Sequence, residues 1–219
     1  MDTQPKTYHY PFPSRLALLE IATPPLLIAT LNRSSTNRVT IRPPTADDCA
    51  AFLAATRRSR SLHRSWINPR ADTRKAFTDY LNRFSSGAHY GFVVIHRATG
   101  GLVGVINLNN VVRAGFQSAA LGYYAFAPYA GRGLMREGLR LVLQHAFRKL
   151  KLHRVEANIQ PDNRASIALV KKCGFVREGF SRRFVKVSGR WKDHERWALL
   201  AEDFAARRRA RQTTAQPRG

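Results

Sequence analysis

The stretch LGYYAFAPYAGRGLMREGLRLVLQHAFRKL, residues 121–150, constrains the fold more than any other part of the chain. It begins as an apolar and aromatic run of strand character. It breaks at Pro128 and resumes with apolar residues at Met135, Leu139, Val142, Leu143, Ala146, Phe147 and Leu150. That spacing keeps one face of an α-helix apolar, the stripe of a helix laid on a sheet. Gly131 and Gly133 sit at the joint between the two. A loop that leaves a strand and opens a helix presents unpaired backbone N–H groups at the positive end of the helix dipole. Glycines there let an anion approach the backbone closely. Taken alone, the joint reads either as a tight turn or as a phosphate cradle. Its spacing fits neither the Walker loop nor the dinucleotide fingerprint, since Arg136 stands where the third glycine of the latter belongs.

The rest of the chain supplies a sheet for that helix. RVTIRPPTADD (38–48) alternates and then stops at prolines, predicting a first strand. Thr45 or Asp47 can cap a helix through CAAFLAATRRS. A second helix is expected over 71–87, capped by Asp72 or Thr73 and ended by Gly87, with Phe77, Tyr80, Leu81 and Phe84 on one face. Three strands follow in YGFVVIHRATG, GLVGVINLNNVV and SAALGYYAFA. After the long helix come a strand in HRVEANIQ, a short helix RASIALVKKCG ended by Gly174, and a closing hairpin over FVREGFSRRFVKV and HERWALLA. The order β-α-α-β-β-β-α-β-α-β-β implies an α/β (α+β) domain with a mixed sheet covered by helices. Its expected limits are 38–204. Residues 1–37 read as an N-terminal extension, either docked or partly disordered, and residues 205–219 as an Arg-rich disordered tail.

The net charge is +23. Removing the tail arginines (207, 208, 209, 211 and 218) still leaves +18 over residues 1–204. Such a charge favours anionic partners, nucleic acid or a ribosome surface among them, and disfavours cationic ones. Cys49 and Cys173 stand far apart in no metal-like spacing, which argues against a disulfide scaffold and a zinc site and for two reduced thiols. The apolar segment 16–31 is interrupted by Glu20 and Pro24–Pro25, so no membrane span and no secretory signal is expected. A cytoplasmic location follows as the expectation.

The sequence resembles the GNAT superfamily of acetyl-CoA-dependent N-acetyltransferases. Their signature at the joint is Gln/Arg-x-x-Gly-x-Gly/Ala, and this chain reads Ala130-Gly131-Arg132-Gly133-Leu134-Met135. The methionine in GRGLM, together with NNVVRAGFQSAALGY, LHRVEANIQPDN and GFVREGF…GRWKDH, is most like the RimJ/RimL-type enzymes that acetylate N-termini of ribosomal proteins. The resemblance covers roughly 38–200. It implies a single domain with a seven-stranded, mostly antiparallel sheet whose central strands splay apart to admit acetyl-CoA, with no metal. It implies that backbone amides of Ala130, Gly131, Arg132, Gly133, Leu134 and Met135 hold the pyrophosphate. Tyr124, Ala125 and Phe126 would line the pantetheine arm, much as a sheet edge receives a peptide, and Asn163 would contact the cofactor. Ala130 departs from the signature's Gln or Arg, a side chain that a backbone cradle does not need.

The proton carriers are less plain. Some N-terminal acetyltransferases of this superfamily place a glutamate five residues before that asparagine and a tyrosine seven after it. Here Asn158 and Val170 occupy those places, and neither is an acid or a base. The candidate catalytic set is therefore Ser166, placed near the thioester sulfur by the pattern N-x-x-S, with Asn158 and with Glu156 as a base acting through water. Glu156 reads first as the ion-pair partner of one of the many arginines. Weak base chemistry suits an α-amine, with a pKa near ~7.8 and roughly a third neutral at cytosolic pH, better than a lysine near ~10.4. The resemblance implies acetyl transfer to a protein N-terminus, in first place a ribosomal protein, with rRNA or ribosome contact through the basic surface and tail. A small-molecule amine acetyltransferase, or an RNA-binding assembly factor with a vestigial acetyltransferase core, are the alternatives. The oligomeric state is not legible.

Overall fold

A computed structural model describes residues 37–64, 66–67 and 71–214. The segment read as an N-terminal extension lies outside them apart from Asn37. Seven strands form one sheet in the order β1-β2-β3-β4-β5-β7-β6. They are β1 (Val39–Arg42), β2 (Tyr90–His96), β3 (Leu102–Val112), β4 (Ser118–Ala125), β5 (Arg154–Ile159), β6 (Val176–Val187) and β7 (Arg190–Leu200). Only β4 and β5 pair in parallel; every other pair is antiparallel. The six helices are α1 (Cys49–Arg58), α2 (Arg60–His63), α3 (Arg74–Asn82), α4 (Leu134–Arg148), α5 (Arg164–Cys173) and α6 (Ala201–Thr214). The expected α/β (α+β) class and seven-stranded sheet are borne out.

The alternation of buried residues on β2 and β3 builds two cores on opposite faces of the sheet. Val93 and Val105 face α1 and α3 with Phe52, Phe77, Tyr80 and Phe126. Phe92, Val94 and Ile106 face α4 with Leu139, Val142, Leu143 and Ala146. The stripe read from the sequence is the buried face of α4. Gly138 completes it, because a Cβ there would lie 2.8 Å from Val94 Cγ1 and hold the helix off the sheet. Leu139 is fully buried, so Leu139→Ala is expected to cost about 2–5 kcal/mol.

Two boundaries differ from expectation. The second helix is shorter than 71–87, since the Thr73 side chain accepts the Ala76 N–H and sets its start, and it ends at Asn82. The tail is corrected more substantially: α6 continues to Thr214 rather than losing order at 205. Alanine and arginine are strong helix formers. Glu202 and Asp203 open the helix with the charge its dipole favours. Phe204 packs on Phe147 with ring centroids 5.3 Å apart. No helix among the described residues is long and apolar enough to cross a membrane.

Candidate active site

The parallel pair of strands sets the site. β4 and β5 pair from Ser118–Arg154 to Leu121–Ala157 and no further, although β4 runs on to Ala125 and β5 to Ile159. Their carboxyl ends therefore splay, leaving a free edge on each. Phe126 donates its N–H to Val103 of β3, so by the alternation of a ladder the backbone groups of Tyr123 and Ala125 face the gap.

The short helix α2, which the sequence did not announce, bridges the mouth of that gap. His63 Nε2 donates to the Ala125 carbonyl at 2.7 Å. That bond fixes the tautomer and leaves Nδ1 as a buried lone pair with no protein partner among the described residues. Burial pushes the His63 pKa down, outweighing the bond to Ala125. At the α1–α2 junction, Ser59 Oγ accepts the Ala127 N–H at 2.9 Å and donates to the Ala55 carbonyl. On the far side, Gln160 beyond β5 donates to the Trp66 carbonyl at 3.1 Å. One segment thus ties the end of β4 to the end of β5.

The glycine joint leads from β4 into α4. Gly131 and Gly133 both have φ of 77°, in the left-handed region that favours glycine. A Cβ at Gly131 would meet open space. The N–H groups of Gly131 and Gly133 donate to no backbone acceptor among the described residues, and α4 adds its own unpaired first turn. Arg136, in that first turn, has a buried Nε without a partner. Donors without acceptors around an open concavity at a helix N-terminus fit a phosphate-bearing ligand.

The residues expected to line the arm and the cradle differ in their surroundings. Phe126 is fully buried against Phe52, its N–H is spent on Val103 and its carbonyl on Tyr129. It belongs to the core, because the strand ends at Ala125 and the next side chain turns inward. Leu134 is also buried, which leaves its backbone alone for the cradle. Met135 packs over Gly104 of β3. Tyr124 is half-buried with its ring edge-on to His63 at 5.1 Å.

The candidate catalytic residues fall into two groups. Asn163 caps α5 by accepting the Ser166 N–H at 3.1 Å. Tyr123, two residues beyond the last β4–β5 pair, donates to the Ser166 carbonyl at 3.4 Å. Ser166 and Asn163 thus stand beside the splay, joined there by a phenol that sequence reasoning passed over. Burial pushes the Tyr123 phenol well above its ordinary pKa, so it stays protonated. On the other face of the sheet, Glu156 is held by Arg154 at 2.6 Å, and Arg154 also grips Glu178 across β7. Glu156 is thus an arginine's partner, not a free base. Asn158 follows it on the same face of β5, just past the last pair with β4. The helical position seven after Asn163 is Val170, fully buried. Among the described residues no cluster of three or more His, Cys, Asp or Glu is placed to hold a metal ion.

A mixed sheet split at its one parallel pair, with a glycine cradle at the head of the following helix, offers a slot for an extended ligand that ends in phosphate. Residues 38–176 match the acetyltransferase (GNAT) domain family, and the chain belongs to it. It is 34% identical over 170 residues to the Bacillus subtilis (strain 168) protein named "Probable N-acetyltransferase YjcK", spanning 74% of this chain and 94% of that one. It is 36% identical over 103 residues to the [ribosomal protein uS5]-alanine N-acetyltransferase of Escherichia coli (strain K12), spanning 47% of this chain and 53% of that one. A spermidine N(1)-acetyltransferase of Vibrio cholerae is 28% identical over 107 residues, 49% of this chain and 60% of that one. Mycobacterium smegmatis RimJ in complex with CoA-disulfide shares the fold with a TM-score of 0.71 and 26% identity over 80% of this chain and 89% of that one.

Proposed function

We propose that this chain transfers the acetyl group of acetyl-CoA to the α-amine of a protein N-terminus, and that the protein is ribosomal. One observation carries the reading: the splay between β4 and β5 has amides and hydroxyls at its sides, while the one carboxylate of β5, Glu156, is tied to Arg154. A site without a free strong base suits an amine that is already partly neutral.

Acetyl-CoA supplies an activated acyl carbon. The backbone N–H groups of 130–135 hold its diphosphate, with Arg132 and Arg136 adding charge. The free edge at Tyr123, with the Ala125 N–H, pairs with the amides of its arm, the Ala125 carbonyl being held by His63. Asn163 keeps α5 capped so that Ser166 stands at the thioester end. Ser166 donates to the leaving sulfur, with Tyr123 fixing the turn that carries it, and Asn158 orients the incoming amine. The proton of the amine leaves through water.

Two further facts support the ribosomal protein over a polyamine. The chain carries +23, which draws it to RNA-rich particles and repels free polycations. The 36% identity to a uS5-alanine acetyltransferase exceeds the 28% to the spermidine enzyme. Mass spectrometry of ribosomal-protein N-terminal peptides, from cells with and without the chain, tests the reading. The expected result is one or more N-termini that are acetylated only when the chain is present. Unchanged N-termini, together with turnover of spermidine by the purified protein, would replace it.

A further inference from the structure

From Phe180 to Lys192 most side chains of the β6–β7 hairpin are exposed, Phe180, Phe184, Val185 and Trp191 among them, the last 60% exposed. A ribbon wet on both faces gains little from its own burial, and exposed large apolar groups in one patch mark an interaction surface. The cross-strand register sets cations against them. Lys186 lies opposite Trp191, Lys192 opposite Val185, and Arg190 opposite Val187. Opposed residues share a face, so each face of the ribbon carries an apolar surface beside a positive charge. Between Ser181 and Val185 the register shifts, Arg183 takes a φ of 47°, and Asp193 accepts its N–H at 2.7 Å. Such a bulge re-aims the side chains around it.

The acids of the hairpin are spent internally. Glu178 pairs with Arg154, and Glu195 with Arg177 and the Trp197 indole. Arg182, Lys186, Arg190 and Lys192 form no ion pair among the described residues. We propose that the distal β6–β7 hairpin docks single-stranded RNA, with a base on Trp191 and a phosphate against Lys186 on the same face, the other three cations adding to the field that draws the strand in. A stacked base needs an aromatic platform with a cation beside it, and Trp191 and Lys186 supply both on one face. A second copy would set like charges face to face. An acidic peptide would meet the cations but offers no flat partner for the rings. The choice of RNA over DNA rests on the proposed function, whose substrate belongs to an RNA-bearing particle; the docking surface itself does not.

Fluorescence anisotropy with a labelled 15-nucleotide single-stranded RNA tests the proposal on the full chain. Binding is expected at 50 mM salt and should weaken steeply by 200 mM. Trp191→Ala should raise Kd roughly 5- to 100-fold. Lys186→Gln should shrink the log–log salt slope by about 0.7. Both variants should keep the native circular dichroism and the wild-type rate on a free peptide. No binding at 50 mM salt, or affinity and slope unchanged in both variants, overturns the proposal. So does a DNA 15-mer that outcompetes the RNA, a polyglutamate that displaces it more tightly, or a self-association that Trp191→Ala removes. RNA binding lost only on replacing Arg207, Arg208 and Arg209 moves the surface to α6 and overturns it equally. A wild type that binds RNA but acetylates no peptide leaves this surface intact and strikes the proposed function alone.

Discussion

Arg38, just before β1, and Glu137, in the first turn of α4, are 99 residues apart and grip one another through both carboxylate oxygens. The Arg38 backbone N–H donates to Oε2 at 2.9 Å, and its Nε and Nη2 donate to Oε1 at 2.8 and 2.5 Å. Nη2 also donates to the Arg132 carbonyl at 3.2 Å. That last bond turns one peptide of the glycine joint, carbonyl toward Arg38, and so directs its N–H elsewhere. The edge of the sheet thereby sets the shape of the cradle. Glu137→Ala should raise KM for acetyl-CoA about five-fold with kcat unchanged and lower stability by under about 1 kcal/mol, since Arg38 is half-exposed. Steady-state kinetics with a thermal melt checks both. A fall in kcat at constant KM would show that the pair serves some other end.

Ser59 holds the segment just past the open end of β4. Its hydroxyl accepts the Ala127 N–H and donates to Ala55, and the residue is fully buried. Ser59→Ala leaves that N–H without its acceptor, which should cost about 1–3 kcal/mol by urea denaturation. Ser59→Thr, which keeps the hydroxyl, should recover part of the loss.

Much of this architecture was legible beforehand, because it rests on local patterns. The α4 stripe, the Asn163 and Gly174 limits of α5 and the closing hairpin are all written in residue spacing. The cradle was legible for the same reason: two glycines at a strand-to-helix joint. The missed residues act over long separations. His63 meets Ala125 across 62 residues, Arg38 meets Glu137 across 99, and Tyr123 meets Ser166 across 43. Nothing in the spacing of a lone histidine or arginine reports such a partner. The strand SAALGYYAFA was read two residues too far, since β4 ends at Ala125. Glu156 could be either base or ion-pair partner until Arg154 was seen beside it.

Three histidines, His63 and His194 buried and His145 partly buried, predict how stability depends on pH. Burial pushes His63, His145 and His194 all below the ordinary histidine value. The unfolded chain therefore takes up protons first as pH falls through about 6.5, and stability declines from there until the folded values are passed. Above about pH 7 these groups contribute no slope. Glu178, held below the usual carboxylate range by Arg154, adds its own loss only at lower pH. Urea midpoints should be flat from pH 8 to 7 and drop between 6.5 and 5. A midpoint that rises on acidification would contradict the lowered values of all three.

The last prediction concerns the leaving sulfur. Ser166 lies in the first turn of α5, its N–H on Asn163 and its carbonyl on Tyr123. If its hydroxyl donates to the sulfur, Ser166→Ala should lower kcat by about 10²-fold, within the range of a positioned proton donor, with KM for acetyl-CoA nearly unchanged. Tyr123→Phe keeps the ring and removes only the bond to the Ser166 carbonyl. Acting through Ser166, it should lower kcat by less, about 3- to 10-fold, and the double variant should be no slower than Ser166→Ala alone. The discriminating readout is a peptide whose α-amine is paired with a thioester of lower leaving-group pKa. That substrate should recover rate in Ser166→Ala and not in a variant of the glycine joint. Unchanged kcat in Ser166→Ala would end the donor role, and a double variant slower than either single one would show that Tyr123 reaches the reacting atoms by its own path.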